Sequence, residues 1–223
     1  ELNEAKKDLL TTRDTIVELK ATLDTTIQAI KIEKEKNKSL LEHSIESKNL
    51  YDKLQNNYNT LKQTTANEIY NQTNGKVNGF TCAIGTGGTL TGIGLGLKSK
   101  DKNIQIACTD SQGSSMYNYF TSGNLEKKGD PSFTEGIGQA RITKNLEKCE
   151  VDMSYYVDDK ECLEMLFKLI KTDGLFLGTS SGVNVMGAVK MARELGPGNT
   201  IVTILCDDAN KYSDKMFNKD FLN

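Results

Sequence analysis

The sequence predicts an α/β fold, a parallel sheet flanked by helices, preceded by a long coiled-coil-like helical segment. Three observations predict it. No Gly or Pro precedes Gly75, short apolar runs alternate with helical patterns from Val77 to Cys206, and one apolar run ends in the cluster Gly85-Thr86-Gly87-Gly88-Thr89. The first marks a boundary between 1–63 and 64–223. The second implies parallel strands joined by helical crossovers, and the third a strand-to-helix turn suited to an anion.

The bulk composition narrows the function classes. The 223 residues carry a formal net charge of -2, and the two signs balance in each part, so neither part is a basic nucleic-acid surface. No apolar run approaches the roughly 20 residues of a membrane span. Five cysteines, with no C-x-x-C pair, read as buried free thiols in a reducing, cytoplasmic compartment. The chain begins at Glu1, as a fragment or processed product would.

The first part predicts a helix of roughly 90 Å at 1.5 Å per residue. With Leu2 as heptad position a, that series continues through Leu9, Ile16, Leu23 and Ile30, while Lys or Arg recurs at e. A coiled coil or a helical hairpin accounts for this, so self-association or a helical partner is expected. Asn37 at position a either fixes register or marks a break in the seam. His43, the only histidine, has no companions at ligand spacing, which excludes a zinc site or a His-based catalytic dyad.

In the second part, Val77–Ile84 predicts a buried strand and the residues through Leu97 a helix. Ile104–Cys108 predicts a strand and Ser115–Phe120 a helix. A strand near Val151–Val157 leads to a helix over Asp159–Lys171, opened by a capping box of Asp158 and Glu161. A helix over Val183–Leu195 stops at Gly196-Pro197, and Ile201–Cys206 predicts the last strand.

At the glycine cluster, several backbone N–H groups and the positive end of a helix converge, the arrangement that binds phosphate. Glycine permits close approach, and Thr86 and Thr89 can add hydroxyl donors. No lysine stands where a Walker loop needs one. The G-x-G-x-x-G pattern meets Leu90 in place of its third glycine, although Asp110 occupies the position of a ribose-binding acid, so dinucleotide binding stays open.

The ordered motifs Gly85-Thr-Gly-Gly-Thr-Leu-Thr-Gly92, Glu135-Gly-Ile-Gly-Gln139, Gly178-Thr-Ser-Ser-Gly182-Val-Asn184 and Thr200-Ile-Val-Thr-Ile-Leu-Cys-Asp207 carry a resemblance. From about Thr64 to Leu222 the chain resembles cysteine synthase, of the pyridoxal 5'-phosphate (PLP)-dependent fold type II family. The resemblance implies that Gly85, Thr86, Gly87, Gly88 and Thr89 hold the PLP phosphate and that Gly136, Ile137 and Gly138 border cofactor and amino-acid substrate. Asp208 takes the place where the family commonly offers a small hydroxyl residue to the pyridine nitrogen. A carboxylate there would favour the protonated ring.

The family's Schiff-base lysine and its substrate-carboxylate loop belong to the half of the sequence that precedes this resemblance, and neither can be placed here. Thr121-Ser-Gly-Asn124 and Ser99-Lys100-Asp101 have similar letters but stand in the wrong order. The resemblance thus implies the C-terminal portion of a cysteine synthase-like enzyme (O-acetylserine plus sulfide to cysteine), inactive alone. A coiled-coil-tethered regulatory or scaffolding protein and a nucleotide-binding module are the alternative readings.

Overall fold

A computed structural model describes residues 2–218. They fall into two compact units, the first ending at Lys53 and the second beginning at Leu54. Helix α1 (Leu2–Gln63) is unbroken, which favours a single helix over a hairpin. With no breaker in the run, even its threonines are accommodated: Thr22, Thr25 and Thr26 donate back to the carbonyls of Glu18, Ala21 and Thr22 at 2.8–2.9 Å. Ile16, Leu19, Leu23 and Ile30 on this helix are all more than half exposed. No helix among the described residues is long and apolar enough to cross a membrane.

The second unit alternates α2 (Thr65–Gln72), β1 (Val77–Ala83), α3 (Gly88–Lys98), β2 (Gln105–Ser111), α4 (Met116–Ser122), β3 (Met153–Val157), α5 (Asp159–Asp173), α6 (Thr179–Leu195), β4 (Thr200–Val202) and α7 (Ser213–Met216). The strands form one parallel sheet in the order β3-β2-β1-β4. Pleating sends Phe80, Cys82, Ile106 and Cys108 to one face, where they join Leu90, Ile93 and Leu97 of α3 and Ala66 of α2 in the main core. Against the other strand face lies α6, whose Met191 packs with Ala107 and Tyr155, and α5 adds Cys162 and Leu166 beside Val183.

Two glycines set how closely the helices approach. A Cβ at Gly96 would lie 2.7 Å from the Lys62 carbonyl oxygen and against Ala66, and one at Gly187 would overlap Thr109. The α5 capping box forms: Asp158 Oδ1 accepts from the Glu161 amide at 2.8 Å, and Glu161 Oε2 accepts from the Asp158 amide at 3.2 Å.

Two boundaries differ most from expectation. Helix α6 starts at Thr179 rather than Val183, because Gly178 caps it and the small residues Thr179, Ser180 and Ser181 fit into buried space. Strand β4 stops at Val202 rather than Cys206 because α6 side chains, not a ladder, take up the next backbone groups. Asn184 Nδ2 donates to the Ile204 carbonyl at 2.8 Å, and Ser181 Oγ accepts from the Cys206 amide at 2.9 Å. The thiols also divide. Cys82, Cys108 and Cys162 are buried while Cys206 is exposed; burial pushes the Cys162 thiol up to about 12 and Cys149 to about 11.

Replacing Gly96 with Val is expected to force α3 away from α2 and cost about 1–3 kcal/mol, the usual range for overpacking. Urea denaturation measures it, and an unchanged midpoint would contradict this packing.

Candidate functional site

The carboxyl ends of the parallel strands carry the predicted site, the usual position for a ligand in an open α/β sheet. After β1, the chain turns through Gly85–Gly87 into α3. Gly87 has φ of +82°, a left-handed conformation that glycine tolerates best. Among the described residues, the amides of Gly85 through Leu90 make no hydrogen bond to a protein acceptor, and the first turn of α3 contains no acidic residue. Unsatisfied donors and a helix end without a competing carboxylate are what an oxyanion requires. A Cβ on Gly88 would find nothing nearer than 3.7 Å, so the turn is open on that side. These residues fit a phosphate group.

The loop Ser132–Leu146 lies against this turn. The Gly138 amide donates to the Ile84 carbonyl at 3.1 Å, and a Cβ at Gly85 would stand 2.8 Å from the Gly136 carbonyl oxygen. Thr143 Oγ1 and Asn145 Nδ2 donate to the Thr86 carbonyl at 2.8 and 3.2 Å. Leu146 fills the space a Gly87 side chain would need. The loop is anchored at its start by Asp159, which accepts from the Phe133 amide at 3.0 Å. Lys215 of α7 pairs with Glu135, holding the Glu135 carboxyl below its usual range. Gly136, Ile137 and Gly138 are thus brought beside Gly85.

Asp208 lies elsewhere in the local network. It is exposed, and its Oδ1 accepts from the Asn210 amide at 2.9 Å, capping a short 3-10 turn. No hydrogen bond joins it to the glycine turn among the described residues. Its neighbour Asp207 is held by Tyr212 Oη at 2.8 Å and leaves Oδ1 buried without a partner.

In the sequence Asn184 is only the last residue of the Gly178–Asn184 motif, yet it ties the site together. Its Oδ1 accepts from the Ala83 amide at 2.7 Å, and its Nδ2 reaches the Ile204 carbonyl. An amide inside an apolar helix pattern was the signal that could have marked it.

Asp110 is 1% exposed. Its Oδ2 accepts from the Tyr117 amide at 2.7 Å, which places it at the start of α4. The Ser114 hydroxyl is committed to the Gln139 carbonyl at 3.0 Å, leaving Asp110 Oδ1 unpartnered. Burial pushes the Asp110 pKa from 3.8 up to about 6, against the lowering pull of the Tyr117 amide.

With the geometry in place, the relatives identify the family. The family model described as pyridoxal-phosphate dependent enzyme matches residues 4–207. A cysteine synthase of Dictyostelium discoideum is 42% identical over 184 residues, covering 78% of this chain and 48% of its own length. The crystal structure of an O-acetylserine dependent cystathionine beta-synthase from Helicobacter pylori superposes with a TM-score of 0.63 at 30% identity, covering 71% of this chain and 49% of that one. The O-acetyl serine sulfhydrylase isoform 3 of Entamoeba histolytica gives 0.60 at 28% identity, over 72% and 46%. This chain belongs to the pyridoxal-phosphate dependent enzymes, within their cysteine synthase-like branch, and its α/β unit has the fold type II architecture. It spans about half the length of the curated relatives it matches.

The raised Asp110 pKa fixes the sign of a pH effect. The folded state binds the extra proton between pH 3.8 and about 6, so this group's contribution to stability falls as pH rises through that window, by up to about 3 kcal/mol. Asp110→Asn removes the dependence. Its stability relative to the parent should improve between pH 4 and pH 7 in urea titrations; a pH-independent difference would refute the assignment.

Proposed function

We propose that this chain is the C-terminal portion of a cysteine synthase-like enzyme, that Gly85–Thr89 holds the phosphate of pyridoxal 5'-phosphate, and that the chain alone does not convert O-acetylserine and sulfide to cysteine. The observation that carries the reading is the row of unsatisfied amides from Gly85 to Leu90, in a chain whose relatives include cysteine synthases. Bound there, the cofactor would supply an electron-accepting ring for β-replacement on an amino acid.

The residues divide the work. Backbone N–H groups and the α3 terminus bind the phosphate, with Thr86 and Thr89 as hydroxyl donors. Gly136–Gly138 borders the ring and substrate, pressed towards Gly85 by the bonds to Ile84 and Thr86. Asp208 caps its own 3-10 turn through Oδ1; turned to the ring nitrogen, as the resemblance implies, its carboxylate would favour the protonated form. No residue in this chain takes the part of the lysine that bonds the cofactor, so binding rests on the phosphate. The free, mostly buried thiols suit a reducing cytoplasm.

Titrating the chain with pyridoxal 5'-phosphate, followed by cofactor fluorescence and competed with inorganic phosphate, is expected to show phosphate-sensitive binding without cysteine formation. Gly87→Val places a side chain against Leu146 at a positive φ and should weaken binding about tenfold or more, of the order of one lost charge-assisted contact. Turnover by the chain alone would overturn the reading.

A second property is supported by the exposure of Ile16, Leu19, Leu23 and Ile30 on α1. Apolar residues at heptad spacing on a long helix need a partner, and we assign this stretch to helical self-association. Sedimentation equilibrium should report a dimer or higher species that Leu23→Glu shifts towards monomer; a monomer at all concentrations would exclude it.

A further inference from the structure

On α1, Ile16, Leu23 and Ile30 at heptad position a and Leu19 and Leu40 at d are exposed, and Ile27 and Leu41 at e widen the strip. Thr26, Ala29, Ile30, Glu33, Lys34 and Asn37 line a shallow depression on this same face. They occupy positions d, g, a, d, e and a of successive turns, the positions that shape the holes for a partner's knobs. The flanking charge is one-sided. Arg13, Lys20, Lys34 and Lys48 stand at e and are exposed, whereas Thr15, Ala29 and His43 stand at g. Two copies laid antiparallel would oppose e to e, setting Lys20 against Lys34 or Arg13 against Lys48 according to register, and like charges so placed disfavour a complex. Laid parallel, e of one helix meets g of the other. Lys20, Lys34 and Lys48 then face Thr15, Ala29 and His43.

We propose that α1 pairs with α1 of a second copy of this chain as a parallel, in-register, two-stranded coil in which the two Asn37 side chains meet. The proposal rests on the self-association reading above and adds orientation, register and the number of chains. Position a meets position a of the other helix only in a parallel pair. An Asn side chain carries both donors and an acceptor, so it can satisfy a copy of itself. A slip of one heptad would set one Asn37 against Ile30 and leave that amide unpaired, which is costly once it is covered. A single Asn at position a thereby selects register and holds the assembly to dimers, at some expense in stability. Glu33, at d, meets its own copy with the opposite charge of Lys34 beside it at e of the other helix.

The test uses the full chain carrying Cys206→Ser, which removes its exposed thiol. In a glutathione redox buffer, Ile16→Cys and Ile30→Cys, each at position a, should form a disulfide-linked dimer. Glu35→Cys, at the outward position f, should not, because its backbone lies beyond disulfide reach of its copy. Sedimentation equilibrium of the same samples under reducing conditions should report dimers, and Asn37→Ile should convert them into a mixture that includes trimers and associates about tenfold more tightly. Dimers that fail to cross-link at both Ile16 and Ile30, or that cross-link equally at Glu35, would leave self-association standing and overturn the parallel arrangement. Trimers in the parent chain, or an Asn37→Ile variant with unchanged species and affinity, would overturn the role of Asn37 and with it the proposed register. A monomer at every concentration would remove both readings.

Discussion

One buried side chain amide holds the site end of this molecule in place. Asn184, on the inner face of α6, accepts from Ala83 at the end of β1 and donates to Ile204 beyond β4. A buried amide left unpaired costs about 1–3 kcal/mol, so these bonds lock three segments at once. They can form because glycines let α6 pack directly on the sheet. Gly187 rests on Thr109, Met191 occupies the room left by Gly79, and Thr81 bonds Thr109 at 2.7 Å beneath them. A side chain at Gly187 would lift the helix and pull the amide from its partners.

The glycine turn is shaped from both sides. Beneath it, β1 and α3 fix where the amides point. Above it, the Ser132–Leu146 loop touches Ile84, Gly85, Thr86 and Gly87 in succession. This explains why glycine is needed at Gly85 and Gly87 on steric grounds as well as for anion binding. The loop takes its position from distant parts of the chain, through Asp159 at the head of α5, Lys215 in α7 and Ser114 before α4. A change in any of those anchors would reach the turn through the loop.

The two compact units obey different physics. In the second, sheet strands and helices bury their apolar residues on one another, and the core residues Phe80, Ile93, Leu97 and Ile106 are fully covered. In the first, apolar residues of α1 stay exposed. The proposed self-association would cover them, and an isolated helix gains little stability from propensity alone.

Short-range features were legible in the sequence because the chemistry that sets them lies within a few residues. The glycine turn, the Asp158–Glu161 capping box, the unbroken α1 and the strand-helix alternation are of this kind, and the family motifs were legible through their order. Tertiary structure alone decided what depends on partners far along the chain. Asn184 and Ala83 are 101 residues apart, and no local pattern announces that their bond, with that of Ser181 to Cys206, diverts the run after Val202 from the sheet. The same contacts leave Cys206 exposed and carry α6 back to Thr179. Apolar β-branched residues specify that a segment can be a strand; whether it becomes one depends on which groups arrive to take its hydrogen bonds.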